Sequence, residues 1–372
     1  MNSRAVIARL ARELIPAPTL GRLVYIKCGI TGPRRQLIAD LSKLSQRVLS
    51  PTMHLRVRRI ATNFFKRKSD SQTLSHVSAQ SENLLRGPFY FRGQSYESLS
   101  DLKDAHGTLK ADMVITSAFF GRHKVLDMMV TEATATPEGF EVLVCLVGSS
   151  SEDEAYLKDV TARNPDVLGM LGPNSPVGRK WQSVVDLARA SSDFQLLGIT
   201  GSDDILPAGL ITSIIERHRV CCSHDSIIPF ATSLYGTMQW LIFSNSDKDT
   251  LSPQLIKCSY KLGSAIMPLG AGRFYSRKVM DDFEGDIFEV SQNRLLDDKG
   301  FYKVHNSGLG VEYYGVTQGA VLSLKGDWSQ MNSFDAILQA PTVKASEFSF
   351  EGYDLLRKQL TTPTFERLFG GA

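Results

Sequence analysis

"NSPVGRKWQSVVDLARASSDFQLLGITGSDDILPAGL", residues 174–210, carries three signals in succession. "GRKWQSVVDLARAS" (178–191) reads as a helix, and "DFQLLGITGSDD" (193–204) as a buried strand that ends on two adjacent acids, Asp203 and Asp204. An apolar run such as Phe194 to Ile199 can finish in two charges only where its end opens to solvent, a cap or a ligand. Upstream, "DMVITSAF" (112–119) is β-rich, and "HKVLDMMVTEA" (123–133) has helical apolar spacing at Val125, Met128 and Met129. "FEVLVCLVGSS" (140–150) is another buried strand. Strand and helix in alternation predict an α/β fold, a mostly parallel sheet with helices on both faces. Such sheets bind ligands beyond the carboxyl ends of their strands.

Those ends supply the candidate residues. Thr116, Ser117 and Arg122 follow the first strand, Gly148 and Asp153 the second, and Ser202, Asp203 and Asp204 the third. Neither GxGxxG nor GxxxxGK[ST] is present, which excludes the dinucleotide fingerprint and the P-loop. Carboxylates on a rigid strand end suit a hard divalent cation, Mn²⁺ or Mg²⁺, which would act as a Lewis acid for a departing diphosphate. Asp204, standing before "ILPAGL", has the alternative role of capping a helix near Pro207. Arg179 and Lys180 open the helix at 178, where a cation could reach a diphosphate or a base.

The run 174–210 resembles the centre of family 2-type glycosyltransferases with the GT-A fold. Those proteins place a Gly-x-Lys helix before a strand ending in an Asp-x-Asp-like motif, followed by an apolar residue and Pro. Gly121 and Arg122, the strand "VLVCLVGSS" and the later "GAGRFYSRKVMDDF" (270–283) agree in order and spacing. The resemblance covers roughly residues 111 to 315. It implies a nucleotide-diphosphate sugar donor, UDP-linked, held by Thr116, Ser117, Arg122, Gly148, Asp153, Arg179, Lys180, Ser202, Asp203 and Asp204. It implies a glycan or lipid-linked acceptor over Gly270, Gly272 and Arg273, and a role in polysaccharide biosynthesis. Inversion would use one carboxylate of "NRLLDDKGFYKVH", Asp297 or Asp298, as general base; Asp-Asp-Lys-Gly is also a turn signal. Asp203, Asp204 and His305 would hold the metal. Gly201 stands where the family has its first aspartate, so Asp203 takes the metal position. Two alternatives are a nucleotidyltransferase of the same fold, and a nucleic-acid-binding protein using the basic N-terminal arm, whose sheet domain is inactive or modifies DNA bases with sugar.

Composition is that of a globular chain: 372 residues, 42% hydrophobic and 22% charged, with no apolar stretch of spanning length. Cys28, Cys145, Cys221, Cys222 and Cys258 lack paired CxxC spacing and read as reduced thiols, predicting a cytoplasmic protein. The net charge of +3 is unevenly spread. Residues 1–70 carry 15 Lys and Arg against Glu13, Asp40 and Asp70; the rest carries 27 basic and 36 acidic residues. Residues 1–68 therefore read as a basic amphipathic arm, suited to an anionic membrane surface and peripheral attachment, or to nucleic acid. Residues 69–110 read as a linker with a small strand and a helix beginning near Ser98, residues 111–340 as the GT-A-like domain, and residues 341–372 as a helical tail.

Overall fold

The computed structural model describes residues 85–223, 232–237, 240–244, 254–262, 265–267, 270–293, 296–307, 309–314, 320–325, 343–347 and 351–369. The chain divides at Ala79 and Gln80, and all described residues lie after that point. The expectations for the arm 1–68 and for the linker up to Asn83 fall outside them.

The chain opens with β1 (Phe89–Phe91), β2 (Gln94–Tyr96) and α1 (Leu99–His106). There follow β3 (Leu109–Ala118), α2 (His123–Thr134), β4 (Val142–Gly148), α3 (Ser151–Arg163), β5 (Val167–Leu171), α4 (Val177–Ser191) and β6 (Ser192–Ile199). Next come β7 (Asp204–Ile205), α5 (Ala208–Ser223), β8 (Thr232–Thr237), β9 (Trp240–Ser244), β10 (Gln254–Leu262), β11 (Ala265–Met267) and β12 (Arg273–Ser276). The remainder is α6 (Arg277–Asp282), α7 (Leu296–Asn306), β13 (Gly310–Tyr314), β14 (Val321–Lys325), β15 (Val343–Glu347), α8 (Glu351–Gln359) and α9 (Thr362–Phe369).

The main sheet runs β13-β8-β12-β6-β3-β4-β5-β1-β2. Strands β6, β3, β4 and β5 are mutually parallel, while β12 is antiparallel to both β6 and β8. This is the mostly parallel, helix-covered sheet that the sequence predicts. β4 and the second halves of β3 and β6 are buried on both faces, which is why they read as unbroken apolar runs. Val114, Val147, Leu197 and Tyr275 pack on one side with Val184, Val185 and Leu187 of α4 and Val304 of α7. Met113, Ile115, Leu146 and Phe274 pack on the other with Leu126 and Met129 of α2, Leu157 of α3 and Leu210 of α5.

One strand escapes the sequence pattern: β5 is a short run interrupted by Gly169. β1 spans three residues. The small strand expected between residues 69 and 110 is β1, and it pairs with β5. Ser98, where a helix start is expected, is the N-cap of α1, with Asp101 completing a capping box.

A second sheet runs β11-β10-β9-β14-β7, with β15 added beside β10. Short β7 links the two sheets: immediately after the end of β6 the chain turns and pairs with β14, Asp204 opposite Ser323. Leu356 and Phe369 of the two C-terminal helices, and Leu360 between them, pack with Val125, Met128, Ile205 and Leu322. Buried Glu132 of α2 fastens that layer. Its carboxylate accepts Ala208 N–H at 2.9 Å, Thr361 N–H at 2.9 Å and the Thr361 hydroxyl at 2.6 Å, so one side chain serves the starts of α5 and α9. The cap of the helix after Pro207 is therefore supplied by Glu132 and not by Asp204.

Candidate functional site

The order of the strands reverses at β3. From β3 the strands advance through β4 to β5, and β6 is laid on the opposite side of β3. The carboxyl ends of β3 and β6 thus flank a topological switch point, where open α/β sheets form ligand crevices. Two loops meet there. Thr200 N–H donates to Thr116 O at 3.0 Å, and Arg122 of the β3 loop reaches across to the β6 loop. Its Nη1 lies 3.2 Å from Ser202 Oγ and 3.5 Å from Asp203 Oδ1. Arg122 has φ +59°, directly after Gly121 at φ +64°. A left-handed arginine is uncommon, costs about 1–3 kcal/mol and persists only where its surroundings fix it.

Asp153 supplies that fixing. It is fully buried and accepts Ser149 N–H at 2.8 Å, Ser150 N–H at 3.1 Å, Gly121 N–H at 2.9 Å and His123 Nε2 at 2.9 Å. Burial alone would raise its pKa; the hydrogen bonds outweigh it and hold the carboxyl below its ordinary value. Ser150 and Asp153 also form the capping box of α3. Asp153 therefore joins the β3 loop to the β4 loop, and Gly148 leaves room for it, since a Cβ there would lie 2.6 Å from Asp153 Cβ.

Lys180 ties in the β5 loop. Only 4% exposed, its ammonium donates to the Phe119 carbonyl and, at 3.2 Å, to Asn174 Oδ1. Burial lowers its pKa to about 8, against the attraction of Asp153. Neighbouring Arg179 is exposed. The amide groups that open α4 are already engaged: Val177 N–H donates to Asn293 Oδ1 at 2.9 Å, Gly178 N–H to Gln292 O at 2.8 Å, and Arg179 and Lys180 N–H to Pro176 O. A Cβ on Gly178 would press on Glu289 O, so this contact needs glycine.

Of the other donor candidates, Thr116 is fully buried with its hydroxyl on Gly198 O at 2.9 Å, and Ser117 is buried in the same strand. Arg273 begins β12 opposite Ile199, at the carboxyl end of β6, yet is 2% exposed with its guanidinium 5.6 Å from the centre of the Phe301 ring. Gly272, at φ +73°, donates its N–H to Ile199 O at 2.8 Å, and Gly270 precedes it in the same turn. Asp297 and Asp298 lie in the first turn of α7, where the sequence also allows an isolated turn. Their side chains lie outside the described residues. His305 is exposed at the far end of α7, stacked 5.4 Å from Phe301.

The residues do not suit a resident divalent cation. Asp203 faces Arg122, and Asp204 Oδ1 accepts the Ser323 hydroxyl. A Cβ on Gly201 would collide with Asp204 Oδ2 and lie 3.2 Å from Asp203 Oδ1, so no aspartate fits at 201 without displacing both. Among the described residues, no three His, Cys, Asp or Glu side chains gather as a metal-holding group, and His305 completes none with the two aspartates.

Sequence reasoning misses His123, Asn174, Ser323 and Phe120. His123 stacks on Tyr156 at 4.5 Å and bonds Asp153; Phe120, 60% exposed, lies over Lys180 with Nζ 5.9 Å from its ring centre. An aromatic after a buried strand is the one signal that could have drawn attention to Phe120.

No family model and no curated protein matches the chain. Among solved structures it is similar to S. aureus TarS 1-349 in complex with UDP-GlcNAc, at 12% identity over 70% of this chain and 71% of that one, with a TM-score of 0.42. It is also similar to S. aureus TarS 1-349 in complex with UDP (11%, 70% of each chain, TM-score 0.36) and to S. aureus TarS 1-349 (10%, 69% of each chain, TM-score 0.33). These are distant likenesses.

Proposed function

We propose that the chain is a glycosyltransferase of the GT-A type that takes a sugar from a nucleotide-diphosphate donor, UDP-linked, to an acceptor hydroxyl. The observation that carries this reading is the meeting of Arg122 with Ser202 and Asp203 across the β3–β6 switch point. A basic group and an acidic turn at that place suit a charged diphosphate and a polar sugar. Asp203 holds Arg122; Ser202 and Asp204 belong to the same turn.

The acceptor oxygen attacks the anomeric carbon, and the bond from that carbon to the β-phosphate oxygen breaks with its electron pair going to the nucleoside diphosphate. The acceptor proton passes to a carboxylate. Asp297 or Asp298 is the candidate for it. Support comes from α7 packing against β12, the neighbour of β6: Phe301 lies next to Arg273, and a Cβ on Gly300 would stand 3.1 Å from the Tyr275 hydroxyl. One displacement inverts the anomeric centre. The basic residues 1–68 suit an anionic membrane surface, and with it a lipid-linked or envelope glycan as acceptor.

The test is a screen of nucleotide sugars for release of nucleoside diphosphate, with Asp203→Asn as control. At least one UDP-sugar should be turned over, and the variant should lose about tenfold or more in kcat/KM, the equivalent of ~1.4 kcal/mol. If no nucleotide sugar binds, or if the variant turns over unchanged, the assignment is wrong.

A further inference from the structure

We propose that this crevice binds a nucleoside diphosphate without a divalent cation, the positive charge beside the phosphates being the Arg122 guanidinium. The inference rests on the glycosyltransferase reading above and specifies how that site handles its charge.

The carboxylates that could hold a cation are already committed. Asp203 Oδ1 stands 3.5 Å from Arg122 Nη1, and the register of β7 with β14 puts Ser323 against Asp204, whose Oδ1 takes the serine hydroxyl. Mg²⁺ and Mn²⁺ seek near-octahedral oxygen coordination with carboxylates in their first sphere. To enter, the cation would have to displace a guanidinium from one aspartate and a hydroxyl from the other.

Arg122 is placed to do the cation's work. Its side chain is 27% exposed, enough to meet a ligand and too little for water to screen it fully. Both of its contacts with the β6 loop use Nη1. Among the described residues, no acceptor faces its Nε–Nη2 edge, the planar fork that matches two phosphate oxygens. A guanidinium keeps its proton throughout, so charge neutralisation needs no proton transfer when the electron pair of the breaking bond reaches the β-phosphate oxygen. Its backbone is fixed by Gly121 N–H on buried Asp153 and by Val125 and Leu126 N–H on its own carbonyl. The uncommon φ of +59° is thus imposed by the fold at the residue that would meet the phosphates.

UDP is titrated calorimetrically into the full chain in EDTA and in excess Mn²⁺, and the same is done for Arg122→Asn and Arg122→Lys. Asparagine tolerates the left-handed backbone, and a thermal melt of each variant checks that it folds. The wild type should bind equally, within about twofold, in both solutions; Arg122→Asn should bind about tenfold or more weakly in EDTA and regain affinity with Mn²⁺, because Asp203 then no longer faces a guanidinium. Arg122→Lys should fall between, having the charge without the fork. Binding of the wild type only in Mn²⁺, or an Arg122→Asn variant that binds like wild type in EDTA, would overturn this inference and leave the glycosyltransferase reading standing. No binding of UDP in either solution would overturn both.

Discussion

Gly201 has a packing reason to be glycine. Both following carboxylates turn back over its backbone, Asp204 close enough that any side chain at 201 would press on it. Gly201→Asp should therefore cost about 1–3 kcal/mol in chemical denaturation by forcing Asp204 off Ser323; an unchanged midpoint would show that the turn has room. Lys180 offers a pH test. Its folded-state pKa, about 8, lies below the ordinary lysine value, so between the two the unfolded chain holds the extra proton and stability rises with pH. The wild type should gain stability relative to Lys180→Met as pH is raised from about 7.5 to about 10. A difference that stays flat across that range would contradict a desolvated ammonium. At this scale Asp203 was legible because an acid ending an apolar run is conspicuous. The roles of Asp153 and Lys180 were not, because their partners Gly121 and Phe119 lie 32 and 61 positions away.

At the scale of elements, the start of α4 reads as a place where the cations of Arg179 and Lys180 could reach a diphosphate or a base. The amide groups there are taken by Asn293, Gln292 and Pro176, a tertiary fact with no local signature. The strands β3, β4 and β6 could be read because burial on both faces leaves long apolar runs, whereas β5 is too short and is broken by a glycine that leaves room for Leu157. Glu132 shows the same limit: within "TEATAT" nothing marks it as the group that receives α5 and α9. Removing it in Glu132→Ala leaves the half-buried Ala208 and Thr361 N–H groups without that acceptor, which should cost on the order of 2–4 kcal/mol. Limited proteolysis should then cut within residues 351–369 well before the sheet. Cleavage that begins elsewhere, at the wild-type rate, would mean that the apolar contacts of Leu356, Leu360 and Phe369 hold the C-terminal helices alone.

For the whole molecule, the order of the strands decides where a ligand can bind, and that order was only half legible. The succession of strand and helix implies a parallel sheet, but the reversal at β3 follows from pairings far apart in sequence. A rival location exists at the opposite edge of the same sheet: a cavity of about 500 Å³ bordered by Phe91, Leu109, Thr136 and Asp166, containing none of the candidate residues. No described helix is long and apolar enough to cross a membrane. The measurement that separates the two edges most directly is amide hydrogen exchange with and without a saturating UDP-sugar. Protection confined to residues 119–124, 148–153, 172–180 and 200–204 is the predicted result. Protection around Phe91, Leu109 and Thr136, or no protection at all, would contradict a donor site at the switch point.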